Sequence, residues 1–357
     1  VNVKHFVSKA FPIPKSLVLS NVAISIFDSQ LSFFEIKKSR GHLYPKAWGT
    51  IPFPRISLSK IDDKSMVEAA HTLQGFSKAH GYSFVHALIH EGEAYVFRLV
   101  VPTINRSELR GAIESVLEEN VPIPPAEAVL EFTIVKEDYM RGETTVAVSV
   151  VNQQTVSAYS EMLSMAGLTP ISFETEARAL ARALFSKEAT DVSLVLAIKP
   201  NHTIVTVTEG RAVVFSSSIE IGSEDLNQAI AKTLDISLAE AKAMKDQGVT
   251  NDESLEDKIF RAGLPVFSSI HDEIGKVLVF WKAQEKKIKD FKDVSKIVLA
   301  GSDSLMPCFS RYISMSFKLP TEVGSVWTNM FDANNCVPLI SRKDSLDYGS
   351  DIGALLL

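Results

Sequence analysis

The stretch 192–207, VSLVLAI-KPNH-TIVTV, decides the reading of this chain, because a counterpart lies far upstream at 17–36, LVLSNVAISIF-DSQ-LSFFEI. Each has two runs of apolar and β-branched residues joined by a short polar turn, the pattern of a β-hairpin. Each is followed at a distance by segments of helical period. Two such units in 357 residues predict a duplicated, two-lobed α/β architecture.

Working outward from the first hairpin, 43–59 reads as a further strand. Residues 64–80 read as a helix, with Met66, Val67, Ala70, Leu73 and Phe76 on one face. Strands follow at 82–90 and 93–101, around Glu91-Gly92-Glu93. A helix is expected over 107–119 with Ser107 as its N-cap, stopped by the prolines of 121–125. Strands at 128–136 and 144–151 complete a strand-helix-strand-strand module over 83–151, short enough to be an insertion.

Residues 153–166 read as a helix closed by Gly167, then a short strand at 171–173 and a helix at 174–185. Beyond the second hairpin, helices are expected at 224–234 and 237–246, the latter opened by the capping box Ser237-Leu-Ala-Glu240. The longest helix is placed at 264–291. A strand at 295–300 and helices at 304–317 and 346–357 end the chain.

Composition narrows the class. With 46% hydrophobic and 22% charged residues the chain is an ordinary packed protein. Its 43 acidic against 37 basic residues, net −6, argue against nucleic-acid binding. No apolar run approaches the roughly 18 residues of a membrane span, and the opening residues lack a signal-peptide core. Two cysteines, Cys308 and Cys336, make no disulfide framework and fit a reducing cytoplasm. Walker A and dinucleotide glycine motifs are absent from the sequence.

Several pieces, in order, resemble the PilM family of type IV pilus assembly proteins, relatives of actin and FtsA. They are FPIP at 11–14 with 21–36, VPIP at 121–124 with 129–135, and YSEMLSMAGLTPISFETEARALARAL at 159–184. FSSSIEIG at 215–222, SLAEAKAMK at 237–245, IVLAGSDSLMPCFSRYI at 297–313, Trp327 and 344–357 complete the set. The resemblance implies an actin-like (duplicated ribonuclease-H-like) fold. Its first lobe, subdomain 1A, would take 1–82 and 152–190, with 83–151 as an inserted SHS2-type subdomain 1C. The second lobe, 2A and 2B, would take 191–340, and a helix over 341–357 would return to 1A. It also implies a cytoplasmic platform protein, held at the inner face of the membrane by the N-terminal tail of a PilN-like partner. Self-association stays open, and no nucleic acid or direct membrane contact is implied.

The resemblance also locates a nucleotide site, and there the residues depart from the family. At the first turn the family Asp is Ser25, a small residue is Phe27, and the family lysine is Ser32, while Asp28 is a turn residue that bonds its own backbone more often than a metal. At the second turn Asp becomes Ala197 and Gly becomes Lys199, followed by Pro200, with Thr203 kept. The family Gly-Gly is Gly301-Ser302, a later glycine is Cys308, the acidic residue near the ribose is Lys242, and Lys245 is kept. Phosphate binding needs backbone N–H groups within reach and a Mg²⁺-associated carboxylate. The expectation is therefore a pseudo-ATPase, with no catalytic residue, no metal and no cofactor where intact members hold ATP and Mg²⁺. Two readings stay beside it: an active ATPase with a rebuilt site, and an FtsA-like division adaptor.

Lys199 is read as a solvated turn lysine and Thr203 as an ordinary strand residue. His86 and His90 fall on one face of a strand and are weighed as a metal pair against a structural role. The lysines at 282, 286, 287, 289 and 292 read as a solvated helix end rather than a membrane contact. Residues 354–357 are expected to pack in the first lobe. The groove for the partner tail is placed at 60–82 and the strands of the inserted module.

Overall fold

The computed structural model describes residues 21–27, 29–39, 42–247, 253–286, 291–331 and 337–357. The FPIP segment, Asp28, Cys336, Lys287 and Lys289 therefore lie outside the described residues.

Strands β1 (Val22–Phe27), β2 (Gln30–Ser39) and β3 (His42–Pro52) form an antiparallel meander. Strands β4 (Phe84–Ile89) and β8 (Thr169–Thr175) extend it in parallel, in the order β3-β2-β1-β4-β8. The second lobe repeats this plan with β9 (Val192–Ile198), β10 (Thr203–Glu209), β11 (Ala212–Ile219), β12 (Lys296–Ala300) and β13 (Thr321–Val323), in the order β11-β10-β9-β12-β13. The central strands β1 and β9 are apolar on both faces because helices cover both sides of each sheet.

The intervening strands β5 (Ala94–Pro102), β6 (Ala128–Asp138) and β7 (Glu143–Asn152) make a separate sheet, β5-β7-β6. Helix α2 (Arg106–Glu114) packs on it through Ile113 and also buries Leu109. Residues 84–89 pair with the first lobe, so the strand-helix-strand-strand unit starts at Ala94 rather than at 83. Asn105, not Ser107, precedes α2, and no side chain caps it; its last expected turn is a 3-10 turn, Leu117–Glu119.

Helix α1 (Asp63–His80) follows the predicted apolar face at Met66, Ala70, Leu73 and Phe76 but not at Val67, which is exposed, with Ala69 buried instead. Asp62 accepts the Ser65 N–H at 2.8 Å as its N-cap, and Leu73 and Phe76 are buried in the first lobe. Each such side chain contributes about 1.5–3 kcal/mol. Helix α3 (Gln153–Met165) buries Tyr159 and Met162 in the same core.

Helices α5 (Ser223–Leu234) and α6 (Leu238–Gln247) flank the second sheet, and the predicted capping box forms, with Ser237 and Glu240 exchanging hydrogen bonds. The long helix α7 runs Glu253–Ala283, earlier than expected, and passes through Pro265. An interior proline costs about 3 kcal/mol. Burial of Phe267, Ile270, Ile274, Val277 and Trp281 along the same helix offsets it. Helix α8 (Pro307–Phe317) follows a 3-10 turn, Ser302–Leu305, and the expected terminal helix is two short ones, α9 (Arg342–Asp347) and α10 (Gly349–Ala354).

Between the lobes lies α4 (Glu176–Leu184), whose alanines let neighbours approach closely. Ala177, Leu180 and Leu184 share one core with Phe34 of β2, Val195 of β9 and Ile352 of α10. Ala354 packs on Ala23, Leu88 and Ala179, as expected for the first lobe, while Leu357 is exposed. Arg182 of α4 donates to Glu174 and, at 3.0 Å, to the Gly353 carbonyl.

The α4–α10 contact makes a test. A Cβ on Gly353 would overlap the Ala179 carbonyl, whereas one on Gly75 of α1 meets nothing. Gly353→Ala should lower stability by about 1–3 kcal/mol, and Gly75→Ala should raise it by up to about 1 kcal/mol. Urea midpoints with unchanged m-values check both.

Candidate functional site

The turns after β1 and β9 face each other across a cavity of about 320 Å³ between the lobes. Ser25, Phe27 and Ser32 line it from the first lobe, Lys199, His202 and Lys242 from the second, and Asp347 and Tyr348 from the C-terminal segment. Of the residues singled out at the two turns, Ser25, Phe27, Ser32 and Lys199 meet at this cavity, while Ala197 and Thr203 do not line it.

Their roles differ from the expectations in informative ways. The Phe27 ring stacks on His90 with centroids 4.0 Å apart and packs on His202 at 4.2 Å, so it bridges the two lobes at the edge of the cavity. Ser32 donates to Asp351 at 3.4 Å. Lys199 is not solvated: it is buried, and its Nζ donates to the Asp347 carbonyl at 3.2 Å. Ala197 is buried in β9, and Thr203 is tied behind the turn by donating to the Ile221 carbonyl at 2.7 Å. Lys242 is exposed at the cavity. Lys245 is buried and neutralised, 2.9 Å from the Asp303 carboxylate and 2.6 Å from Ser223 Oγ.

Several backbone amides next to the cavity, at Ser302 and at the starts of α4 and α5, are taken by the protein itself. Gly301 has φ 91°, and a Cβ there would strike the Ile198 carbonyl, so only glycine fits. The next amide, Ser302 N–H, donates to Asp347 Oδ1 at 2.7 Å. At the start of α5, Ser223 and Glu224 N–H donate to the Lys199 and Pro200 carbonyls at 2.9 and 2.8 Å. At the start of α4, Ala177 N–H donates to Glu91 Oε2 at 2.9 Å, and Glu91 N–H returns a bond to Glu176 Oε2 at 3.2 Å. Helix N-termini attract anions through free N–H groups; here internal carboxylates and carbonyls already hold them.

Glu176, His202, Glu91, Asp347 and Asp351 were not singled out from the sequence. Glu176 stands in the quoted 159–184 stretch and His202 in the quoted KPNH turn, but single buried polar residues carry no spacing signal. Glu176 and His202 meet at 3.1 Å, both buried. Burial alone would raise the Glu176 carboxyl, yet the His202 ring, with His90 and Lys199, holds it well below the usual range. Burial pushes His90 down to about 4, against the pull of Glu176. Burial pushes Glu91 up to about 7 and Asp347 up to about 6. It also pushes Asp351 up to about 7, with Lys199 opposing.

His86 and His90 do not form a pair. His86 shares a hydrogen bond with Ser172 at 2.8 Å, while His90 lies beyond the strand end with Glu176 and His202. Of the lysine run, Lys282 pairs with Asp293 at 3.0 Å and Lys292 reaches the Thr190 carbonyl at 3.4 Å, as for a solvated helix end.

Comparison with known proteins agrees with this frame. The family described as "Type IV pilus assembly protein PilM" matches residues 23–351. A solved structure titled "PilM-PilN type IV pilus biogenesis complex" is 18% identical, with 94% of this chain and 97% of that chain covered and a TM-score of 0.70. The ethanolamine utilization protein EutJ from Carboxydothermus hydrogenoformans is 14% identical, with 97% and 91% covered and a TM-score of 0.50. The fold is thus the two-lobed actin-like one.

The buried carboxyls give a pH test. Burial raises the Asp351 carboxyl to about 7, above its ordinary value near 3.8. Its contribution to stability is therefore present below pH 4 and is lost as pH rises through 7. Asp351→Asn should keep that contribution, so its stability advantage over the parent should grow by about 1 kcal/mol or more between pH 5 and pH 8. Urea midpoints at the two pH values check the sign.

Proposed function

Because the chain belongs to the PilM family of type IV pilus assembly proteins, we propose that it is an actin-like scaffold that captures the N-terminal tail of a PilN-like inner-membrane protein without hydrolysing ATP. Its place is the cytoplasmic face of that membrane, reached through the partner; among the described residues no helix is long and apolar enough to cross a membrane. The observation that carries the reading is what already occupies the turns: Phe27 sits on His90 and His202, and Asp347 holds the Ser302 amide. Binding a triphosphate there requires displacing protein carboxylates from the amides it would use, and Ser25 and Ala197 supply no carboxylate for Mg²⁺.

A nucleotide-binding reading draws on Lys199 and Lys242, the two lysines at the cavity. Thermal-shift titration with Mg-ATP separates the two. A nucleotide at about a hundred times its Kd adds about 2.7 kcal/mol to the folded state. No shift at millimolar Mg-ATP is expected. A saturable shift that Lys199→Ala abolishes would restore the nucleotide reading.

For the tail, the groove is placed beside α1 and the inserted sheet, where an extended segment can pair with a strand edge or lie along apolar surface. Val67 stands on α1 with more than half its surface exposed, at 57%. Val67→Asp should weaken a synthetic tail peptide at least tenfold in fluorescence anisotropy, with the melting temperature unchanged. Unchanged affinity would move the groove elsewhere.

A further inference from the structure

The cleft holds a group of side chains that tail capture does not use. His90 follows β4 of the first lobe, His202 lies in the β9–β10 turn of the second, and Glu176 opens α4 between them. One donor atom from each lies within 4.8 Å of the others. They are drawn together by the fold rather than by sequence spacing.

Two features point to a ligand. Nε2 of His90 and Nδ1 of His202 are buried and have no hydrogen-bond partner. Buried polar atoms in folded proteins are nearly always satisfied, so His90 Nε2 asks for an occupant, whereas His202 would bind through Nε2 and keep its Nδ1 as it is. Both rings are also held in place, because Phe27 packs on the two of them and they meet edge to face at 4.5 Å.

We propose that His90, Glu176 and His202 bind one divalent transition-metal ion, of the zinc class, that ties the two lobes together. Two imidazoles and one carboxylate are a donor set that zinc accepts, and borderline metals prefer it to magnesium or calcium. Tetrahedral zinc spaces such donors roughly 3.4 Å apart; Glu176 and His202 already meet at 3.1 Å, so loading chiefly draws in His90. Glu176 and His202 both line the cavity, which leaves the fourth position to water.

Loading exchanges one set of bonds for another. The ion replaces the hydrogen bond that His202 Nε2–H donates to Glu176 Oε2, and the Nε2 proton leaves, to Nδ1 in a neutral ring or to solvent from a charged one. His90 enters through Nε2, moves its ring proton to Nδ1, and gives up the 3.2 Å bond that Nδ1 accepts from Gly92 N–H. Lys199, whose charge already acts on Glu176, opposes the ion. Since the ligands come from both lobes, the loaded protein has its interlobe angle fixed without any nucleotide.

The test uses the full chain stripped of metal with EDTA and titrated with Zn²⁺ by calorimetry. One equivalent is expected, with affinity falling at least tenfold in both His90→Gln and His202→Asn and unchanged in His271→Asn. The absence of binding to the parent overturns the proposal, as does binding that survives in both cleft variants. Should a cleft variant fold poorly, the parent's Co²⁺ spectrum decides alone. A four-coordinate visible band without thiolate charge transfer supports the site, whereas a thiolate band places the ion on a cysteine and overturns it. The Mg-ATP titration is independent of either result.

Discussion

The fully buried Glu176 carboxylate is the constraint around which the centre of the molecule is arranged. An ionised group in that position is stable only if other groups neutralise and hydrogen-bond it. His202 comes from the second lobe to do so, Glu91 donates its amide from the first, and Lys199 adds charge from the turn below. Removing one partner from a buried pair typically costs about 3–5 kcal/mol. The lobes are thus held by a polar network as well as by the apolar core that α4 shares with both sheets.

A second consequence follows for the cavity. Carboxylates that satisfy helix amides do for the folded chain what a bound anion would do, and they do it permanently. Asp347 on the Ser302 amide and Glu91 on the Ala177 amide are covalently part of the protein, so their local concentration is far above that of any free ligand. The substitutions at the two turns therefore match the rest of the cleft, with a bulky ring and internal anions in place of open amides.

Much of this was legible in the sequence. The two hairpins carry strong alternation and turn signals, and α1, α3 and the Ser237 capping box follow local rules that tertiary context did not override. The turn residues Ser25, Phe27, Ser32 and Lys199 were correctly brought to one place. What failed depends on partners distant in the chain. Residues 84–89 look the same whether they pair with β1 or with the inserted sheet, and only the partner strand decides. The α7 start was misplaced because Pro265 is a local stop signal that core packing overruled. Lys199 looked like any turn lysine, since the carbonyl it reaches lies on residue 347, and the His90–Glu176–His202 group joins three segments that share no spacing.

The return of the C-terminal segment has a bearing on biosynthesis. Ser32 and Asp351, which touch in the cleft, are 319 positions apart. At about 5–20 residues per second on the ribosome, the first strands wait on the order of half a minute for α10 to emerge. Through that interval Ala23, Leu88 and Ala179 lack the cover that Ala354 later supplies. Until α10 emerges the nascent first lobe therefore presents an open apolar seam along Ala23 and Leu88, joined later by Ala179.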